Sequence, residues 1–192
     1  MEEKRKNTDI EVLTTKDVRK AFVMNQPFVP SFHGSLFIRK GHINVRYKFN
    51  EHLIPCCSVL HLNRLVVVEF LEISEDAELL MIVIGSDFQH RIPVRFSKLD
   101  MIQYFATSPF LQLSFSESEF KDIWQILTIM EQRQHNNNYQ FTVDLLHTLL
   151  VSVSYIMAKQ INENVAVQDK DESRSEKLAV EFIRLLHIHF RE

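Results

Sequence analysis

The chain carries two patterns of apolar and polar residues, and the change between them lies near residue 90. Before it, apolar residues tend to occupy every second position, which is the period of a β-strand. His42–Phe49 is the clearest case, because one of its faces is apolar and the other is polar. Similar segments are Gly34–Lys40, Cys57–Leu62, Leu65–Ile73, Glu78–Ile84 and the short Phe22–Met24. Short strands at this spacing, separated by turn residues, predict an antiparallel sandwich or barrel.

After residue 90 the apolar residues recur every three or four positions, as they do in amphipathic helices. Ser116 and Glu119 have the spacing of a capping box, in which each side chain pairs with the other residue's backbone N–H. Phe115 and Phe120 occupy the two positions of a hydrophobic staple. We therefore expect a helix that begins after Ser116 and ends near Gln134.

Two further helices and a linker are expected in this half. Ser97 is placed to cap a short helix that ends near Phe105. Beyond a polar break, an apolar segment predicts a long helix over about Tyr139–Ile161. Asn162–Ser175 is charged and lacks aromatic residues, so we expect a linker there. Strands followed by helices give an α+β fold class.

The last segment, Glu176–Glu192, is again amphipathic. Its apolar stripe, with one residue in every four, consists of Leu178, Phe182, Leu186 and Phe190. No glycine, asparagine or proline marks an end of this helix. We therefore expect the helix to connect the chain to a further, functional part beyond this sequence.

The composition favours a soluble, cytoplasmic protein. A chain of 192 residues with 45% hydrophobic residues can bury the core of one large domain, or of one domain with an appendage. The N-terminus lacks the apolar region of a secretory signal, and Asp144 and His147 interrupt the longest apolar stretch. The adjacent Cys56 and Cys57 form no disulfide framework, which fits a reducing compartment. The net charge of −3 offers no basic surface for nucleic acid.

Catalytic and metal-binding motifs are absent from the sequence. The nine histidines include no pair on one strand with a downstream glutamate and a third histidine, which a metal site in such a sheet requires. His187 and His189 lie two positions apart on a helix, where they do not face one ion. There is no P-loop, G-x-S-x-G or H-E-x-x-H motif, and only three glycines occur. We expect no catalytic residues, no metal and no cofactor.

Polar residues that interrupt the apolar strands are the candidates for a ligand pocket inside the sheets. The effector-pocket candidates are Arg46, Tyr47, His61, Glu69 and Glu72. The alternative is that these side chains point outward into solvent, which is the commoner arrangement for charged residues.

The segment Tyr139–Ile161 is apolar on nearly all sides. A helix of this kind is covered on more than one side. It is either a central core helix of one subunit or a helix shared with a second subunit. For a homodimer through this helix, or through Ser116–Gln134, the interface candidates are Leu145, Leu146, Leu149, Val153 and Ile156.

The order of these parts resembles a known family. Gly41–Phe88 and Val180–Glu192 resemble the cupin-like segment and the connecting helix of bacterial AraC-type transcription regulators. The resemblance implies that residues 1–90 form a cupin-like jelly roll and residues 91–162 a helical dimerisation part. Residues 163–175 would be the linker, and residues 176–192 would begin the helix that leads to a DNA-binding domain.

The resemblance also implies a division of labour. The cupin-like part would sense an unknown small-molecule effector, and the helical part would form the homodimer. A C-terminal domain with two helix-turn-helix units, absent from this chain, would bind promoter DNA. This chain alone is not expected to bind DNA specifically or to contact a membrane. The alternatives are a stand-alone cupin-like small-molecule-binding protein, a cupin enzyme, a cyclic-nucleotide sensor or an interaction module without a ligand.

Overall fold

The structure is a computed structural model that describes residues 10–63, 66–85, 110–135 and 141–168. These residues form nine strands and three helices. The strands are β1 (Ile10–Thr14), β2 (Pro27–Phe28), β3 (His33–Lys40), β4 (His42–Tyr47), β5 (Asn50–Pro55), β6 (Ser58–Leu62), β7 (Val68–Ile73), β8 (Glu78–Ile84) and β9 (Phe110–Ser114). The helices are α1 (Thr15–Ala21), α2 (Glu117–Arg133) and α3 (Thr142–Gln168).

The strands form two antiparallel sheets. The five-stranded sheet has the order β1-β8-β3-β6-β9, and the four-stranded sheet has the order β2-β7-β4-β5. The chain passes between the sheets at Gly41, after β3, and at Cys56-Cys57, after β5. Gly41 has a φ of 73°, and a Cβ atom there would collide with Ser74 Oγ, so glycine is required. The α+β class and the antiparallel sandwich expected from the sequence are confirmed.

The space between the two sheets contains the first of two cores, which we call the inner core. Its largest fully buried side chains come from both sheets and include Leu36, Ile38, Ile43, Ile54, Leu60, Phe70 and Met81. Helix α1 adds Phe22, whose ring stacks on Phe70 with centroids 4.1 Å apart. The inner core therefore consists of apolar groups that close against one another.

The opposite face of the five-stranded sheet packs against α2 and α3. The buried side chains between this sheet face and the two helices form the second core, which we call the helix core. Helix α2 contributes a stripe at helical spacing, namely Phe120, Ile123, Leu127 and Met130. Ser116 and Glu119 make the reciprocal capping box that the sequence predicts, and the rings of Phe115 and Phe120 lie 6.3 Å apart. The predicted start of this helix is confirmed.

Gln134, just after α2, fixes the helix layer to the edge strand β1. Its side-chain oxygen accepts from Val12 N at 2.8 Å, and its side-chain nitrogen donates to Val12 O at 2.8 Å. Because β1 is an edge strand, these backbone groups have no partner strand on that side. The glutamine amide takes the place of a neighbouring strand at this point.

Three local predictions are wrong. Phe22–Met24 is not a strand, because Phe22 caps α1 and turns its ring into the inner core. β4 ends at Tyr47, since Lys48 and Phe49 have φ values of 48° and 70° and form the hairpin turn to β5. Helix α3 continues to Gln168, into the segment expected to be a linker.

The sheet also extends into the half that was expected to be helical. β9 pairs antiparallel with β6, and Leu111 and Leu113 of β9 are buried in the helix core. The predicted helix from Ser97 to Phe105, and the terminal segment Glu176–Glu192, lie outside the described residues. In the part that the structure describes, neither long helix has the apolar length needed to cross a bilayer.

Candidate functional site

Arg46 and Glu69, two of the predicted pocket residues, lie on the outer face of the four-stranded sheet. Arg46 donates to Glu69 Oε2 at 2.7 Å and to Glu51 Oε1 at 2.9 Å. These two hydrogen bonds, the one from Glu51 first, raise the pKa of the Arg46 guanidinium. The guanidinium is thus engaged by carboxylates of its own sheet, on the side away from the inner core.

Tyr47 faces the other way and lies at the open edge of the sandwich. Its ring stacks on that of Phe110 with centroids 4.7 Å apart and an interplanar angle of 7°. The ring of His52 lies 4.9 Å from Phe110. Since β5 and β9 are the edge strands of the two sheets, this aromatic cluster joins the sheets where their edges meet.

The last two predicted pocket residues, His61 and Glu72, lie on different sheets. His61 is 4% exposed, and its Nδ1 lies 3.0 Å from Ser35 Oγ. Its neighbour on β9 is Leu111, a member of the helix core, so His61 faces the helices. Glu72 lies on the outer sheet face, with its carboxylate 3.8 Å from His42 Nε2.

The structure therefore distributes the five pocket candidates over three surfaces. Arg46, Glu69 and Glu72 share the outer face of the four-stranded sheet, Tyr47 lies at the edge, and His61 lies under the helices. In the described part of the chain these five side chains do not converge on one place, and their role toward an effector stays a prediction.

The dimerisation candidates also separate. Leu146 and Val153 are 2% and 1% exposed within the helix core, so this chain alone already covers them. Leu145, Leu149 and Ile156 are half-buried and retain accessible apolar surface. Polar groups lie beside this surface on α3. The hydroxyls of Thr148 and Ser152 donate to backbone carbonyl oxygens one turn earlier in the helix.

A groove that the sequence did not indicate runs along α2. Its volume is about 1020 Å³, and one side is open to solvent. One wall is a single face of the helix, made by Glu117, Phe120, Lys121, Trp124, Gln125, Thr128 and Ile129. The other wall is made by Arg39, at the end of β3, and by the turn Cys56-Cys57. Three segments that are far apart in the sequence meet here, which is why sequence patterns did not reveal it.

The floor of the groove combines aromatic rings with a cation. The Arg39 guanidinium lies 5.6 Å from the centroid of Trp124, within the range of a cation–π interaction. Arg39 Nη1 also lies 3.5 Å from Glu78 Oε2. Trp124 stacks on Phe120 with centroids 6.1 Å apart. Lys121 adds a second cation and Glu117 a carboxylate.

The turn at the end of the groove presents two free thiols. Cys56 is exposed and Cys57 is half-buried with a φ of 55°. Burial raises the pKa of the Cys57 thiol, and the neighbouring Cys56 and Glu117 raise it further. Cys57 is therefore a protonated thiol at neutral pH rather than an activated nucleophile.

The groove offers contacts for a small-molecule ligand. Among residues 10–63, 66–85, 110–135 and 141–168, no three histidine, cysteine or acidic side chains come close enough to hold a metal ion. The groove has the size of small-molecule sites, and it offers apolar, aromatic and cationic contacts. A ligand with an apolar body and a negative or thiol-reactive group matches these surfaces.

Comparison with known proteins found similar folds among solved structures. No protein-family model and no curated protein matches the sequence. Among solved structures, the chain is similar to the AraC-like transcriptional activator CuxR, with 9% identity, a TM-score of 0.47, and coverage of 81% of this chain and 52% of that chain. It is also similar to ToxT from Vibrio cholerae O395 bound to (E)-4-(8-methylnaphthalen-1-yl)but-3-enoic acid. That match has 13% identity, a TM-score of 0.49, and coverage of 80% and 56%.

A third similar structure is unsaturated fatty acid bound wild-type ToxT from Vibrio cholerae strain SCE256. It has 15% identity, a TM-score of 0.42, and coverage of 79% of this chain and 54% of that chain. The chain thus spans a little over half the length of these proteins.

Proposed function

We propose that this chain is the effector-sensing and dimerisation part of a cytoplasmic AraC-type transcription regulator. The partners would be a second copy of the chain, a small-molecule effector and, through a C-terminal helix-turn-helix part, promoter DNA. The support is the sequence resemblance, together with a sandwich that carries a two-helix layer on one sheet.

The observation that carries the proposal is that the groove adjoins both the five-stranded sheet and helix α2. A ligand there would contact α2 on one wall and the turn between β5 and β6 on the other. Helix α2 is in turn fixed to β1 through Gln134 and paired with α3 through Lys159 and Glu119, whose charged atoms are 3.1 Å apart. Ligand binding would therefore favour one arrangement of the helix pair over another.

The proposed interface uses the part of α3 that this chain leaves accessible, namely Leu145, Leu149 and Ile156. Sedimentation of the isolated chain at tens of micromolar concentration tests this. We expect a dimer for the native chain and a monomer for Leu149→Asp, because a charge in an apolar interface lacks a partner. The matched control is Thr148→Asp, at an exposed position of the same helix turn. A native chain that sediments only as a monomer would contradict dimerisation.

The regulatory role is tested by joining the chain, at its C-terminus, to a DNA-binding domain that represses its operator only as a dimer. We expect repression of a reporter by the native fusion and its loss with Leu149→Asp. The gene beyond the Glu192 codon gives the second test, and two helix-turn-helix units are expected there. A stop codon at that position would favour the alternative, a stand-alone small-molecule-binding module, for which the groove is the supporting observation.

A further inference from the structure

The function proposed above assigns no chemistry to the two adjacent thiols at the end of the groove. They belong to the tight turn between β5 and β6, and both line the groove with Trp124 and Phe120. Cys56 and Cys57 are consecutive residues, and both are free thiols. Two sulfurs beside an aromatic surface form a distinct chemical site.

The turn is held firmly by its neighbours. Cys57 N–H donates to Ile38 O at 2.8 Å, and Cys57 O accepts from Phe115 N at 2.9 Å. Ser58 and Ser114, next to these residues, bring their hydroxyl oxygens to 3.4 Å. Backbone hydrogen bonds therefore fix Cys57 to Ile38 of β3 and to Phe115, just after β9. A ligand that joins both sulfurs orders little additional chain, which favours its binding.

The number of protein ligands that the site offers limits which metal or metalloid can bind to its two thiols. Structural zinc takes four protein ligands, and in the described ranges no cluster reaches three metal-binding side chains. A trivalent arsenic atom that already carries one organic group needs only two sulfurs. We propose that Cys56 and Cys57 bind such trivalent organoarsenic compounds, with the arsenic on the two sulfurs and the organic group on Phe120 and Trp124.

The binding step is a condensation without a change of oxidation state. A compound R–As(OH)₂ reacts with the two thiols, two As–O bonds break and two As–S bonds form. The two thiol protons leave with the hydroxyl groups as two molecules of water. Because the thiols enter as neutral groups, the raised pKa of Cys57 does not prevent the reaction at neutral pH. The site rests on the turn and the groove, and it stands whether or not the chain regulates transcription.

Phenylarsine oxide is the probe for the test. We expect the folded chain to bind one equivalent, to lose both thiols that react with a disulfide reagent, and to change the fluorescence of Trp124. Trp124 is the only tryptophan, so this signal reports on the groove alone. A small dithiol should reverse all three changes, whereas a monothiol at the same concentration should not.

Single-thiol variants test the chelation. Cys56→Ser and Cys57→Ser should each weaken binding about a hundredfold or more, because the second sulfur no longer acts at high effective concentration. Unchanged affinity in either variant overturns the two-sulfur site. Circular dichroism of both variants verifies that they fold, and Cys56→Ser, at the exposed position, is the less disturbing of the two.

A second comparison tests the contribution of the groove. Trp124→Ala, and separately Ile129→Ser at an exposed lining position, should weaken phenylarsine oxide more than inorganic arsenite, which has no organic group. The folded chain should also bind phenylarsine oxide more tightly than the urea-unfolded chain, whose two thiols are equally adjacent. Equal affinity of the folded and unfolded chains would show that the groove adds nothing, and would overturn the proposal.

Discussion

The two cores of the molecule differ in what they contain. The inner core, between the sheets, is built from apolar side chains such as Leu60 and Phe70 that are fully buried. The helix layer is equally well packed at its centre, but polar groups lie at its margins, namely Gln134 on β1 and the thiols of the groove. The inner core fixes the sandwich, and the helix layer carries the groups suited to recognition.

This contrast has a physical cause. The residues between two sheets are excluded from water on both sides, so an unpaired polar group there costs free energy. A helix packed on one sheet leaves a margin where solvent and backbone groups remain accessible. Polar and reactive side chains are tolerated at that margin, and a ligand can reach them.

The largest effect is expected in the inner core. Phe70→Ala removes a fully buried ring that stacks on Phe22, and it should lower the free energy of unfolding by about 3–5 kcal/mol. Urea denaturation measures the change. The control is Leu53→Ala on the same sheet, 61% exposed, for which we expect a change within about 0.5 kcal/mol. A small effect at Phe70 would mean that the inner core is not the main source of stability.

The attachment of the helix layer to the sheet should give the next largest effect. Gln134→Ala leaves both backbone groups of Val12 without this partner, and should cost about 1–3 kcal/mol. Hydrogen exchange should show faster exchange of the Val12 amide. Gln125→Ala, an exposed glutamine on α2, is the control and should leave both quantities unchanged. Equal behaviour of the two variants would show that α2 is held by apolar packing alone.

The hairpin turn between β4 and β5 offers a gain in stability. Lys48 and Phe49 both have positive φ, and Phe49 is 97% exposed, so its ring compensates little of this strain. Replacing the pair by Asn-Gly, which suits this turn, should stabilise the protein by about 1–2 kcal/mol. Thermal unfolding measures the gain. Phe49→Gly alone should account for about half of it, and a loss of stability instead would show that the Phe49 ring is packed.

The cap of α2 should give a smaller, pH-dependent effect. The hydrogen bond from Ser116, followed by that from Lys159, lowers the pKa of Glu119 to about 2, from the usual 4.5. Because the folded-state pKa is the lower one, the stabilisation by ionised Glu119 is complete above pH 4.5. It is lost as the pH falls toward about 2. The difference in stability between the native chain and Glu119→Gln should therefore shrink between these values.

Ser116→Ala provides the matching test of that cap. It removes the largest cause of the lowered pKa and should cost about 1 kcal/mol near neutral pH. In the Ser116→Ala background, Glu119→Gln should add little pH dependence, which unfolding measured at several pH values will show. If the full pH dependence persists there, the contact with Lys159 rather than the cap governs Glu119.

Sequence patterns predicted the elements whose signals are local. The alternation in His42–Phe49 predicted β4 and its buried face, and the spacing of Ser116 and Glu119 predicted the start of α2. They missed β5, because its exposed outer positions resemble a turn, and β9, because it lies among helical segments. Both are edge strands, and pairing with a distant strand rather than local composition decides their conformation.

Sequence patterns predicted the candidate site less well than they predicted the strands and helices. Arg46 and Glu69 were proposed as pocket residues because they interrupt apolar strands, and the structure places them together in an ion pair. Alternation alone does not tell which sheet face turns toward a ligand. His61 was placed in the same set, although it lies under the helices on the other sheet. The residues of the groove carry no common sequence signal, because each belongs to a different element.

The sequence by itself determined the strand and helix signals, the cap of α2 and the α+β class, since these depend on neighbours within a few residues. Only the tertiary structure decided how the strands divide between two sheets, which polar residues meet, and that Arg39, Trp124 and the Cys56-Cys57 turn enclose one groove. These outcomes depend on which distant segments bury each other's apolar faces. Many pairings satisfy the same local pattern, and the packed cores select one of them.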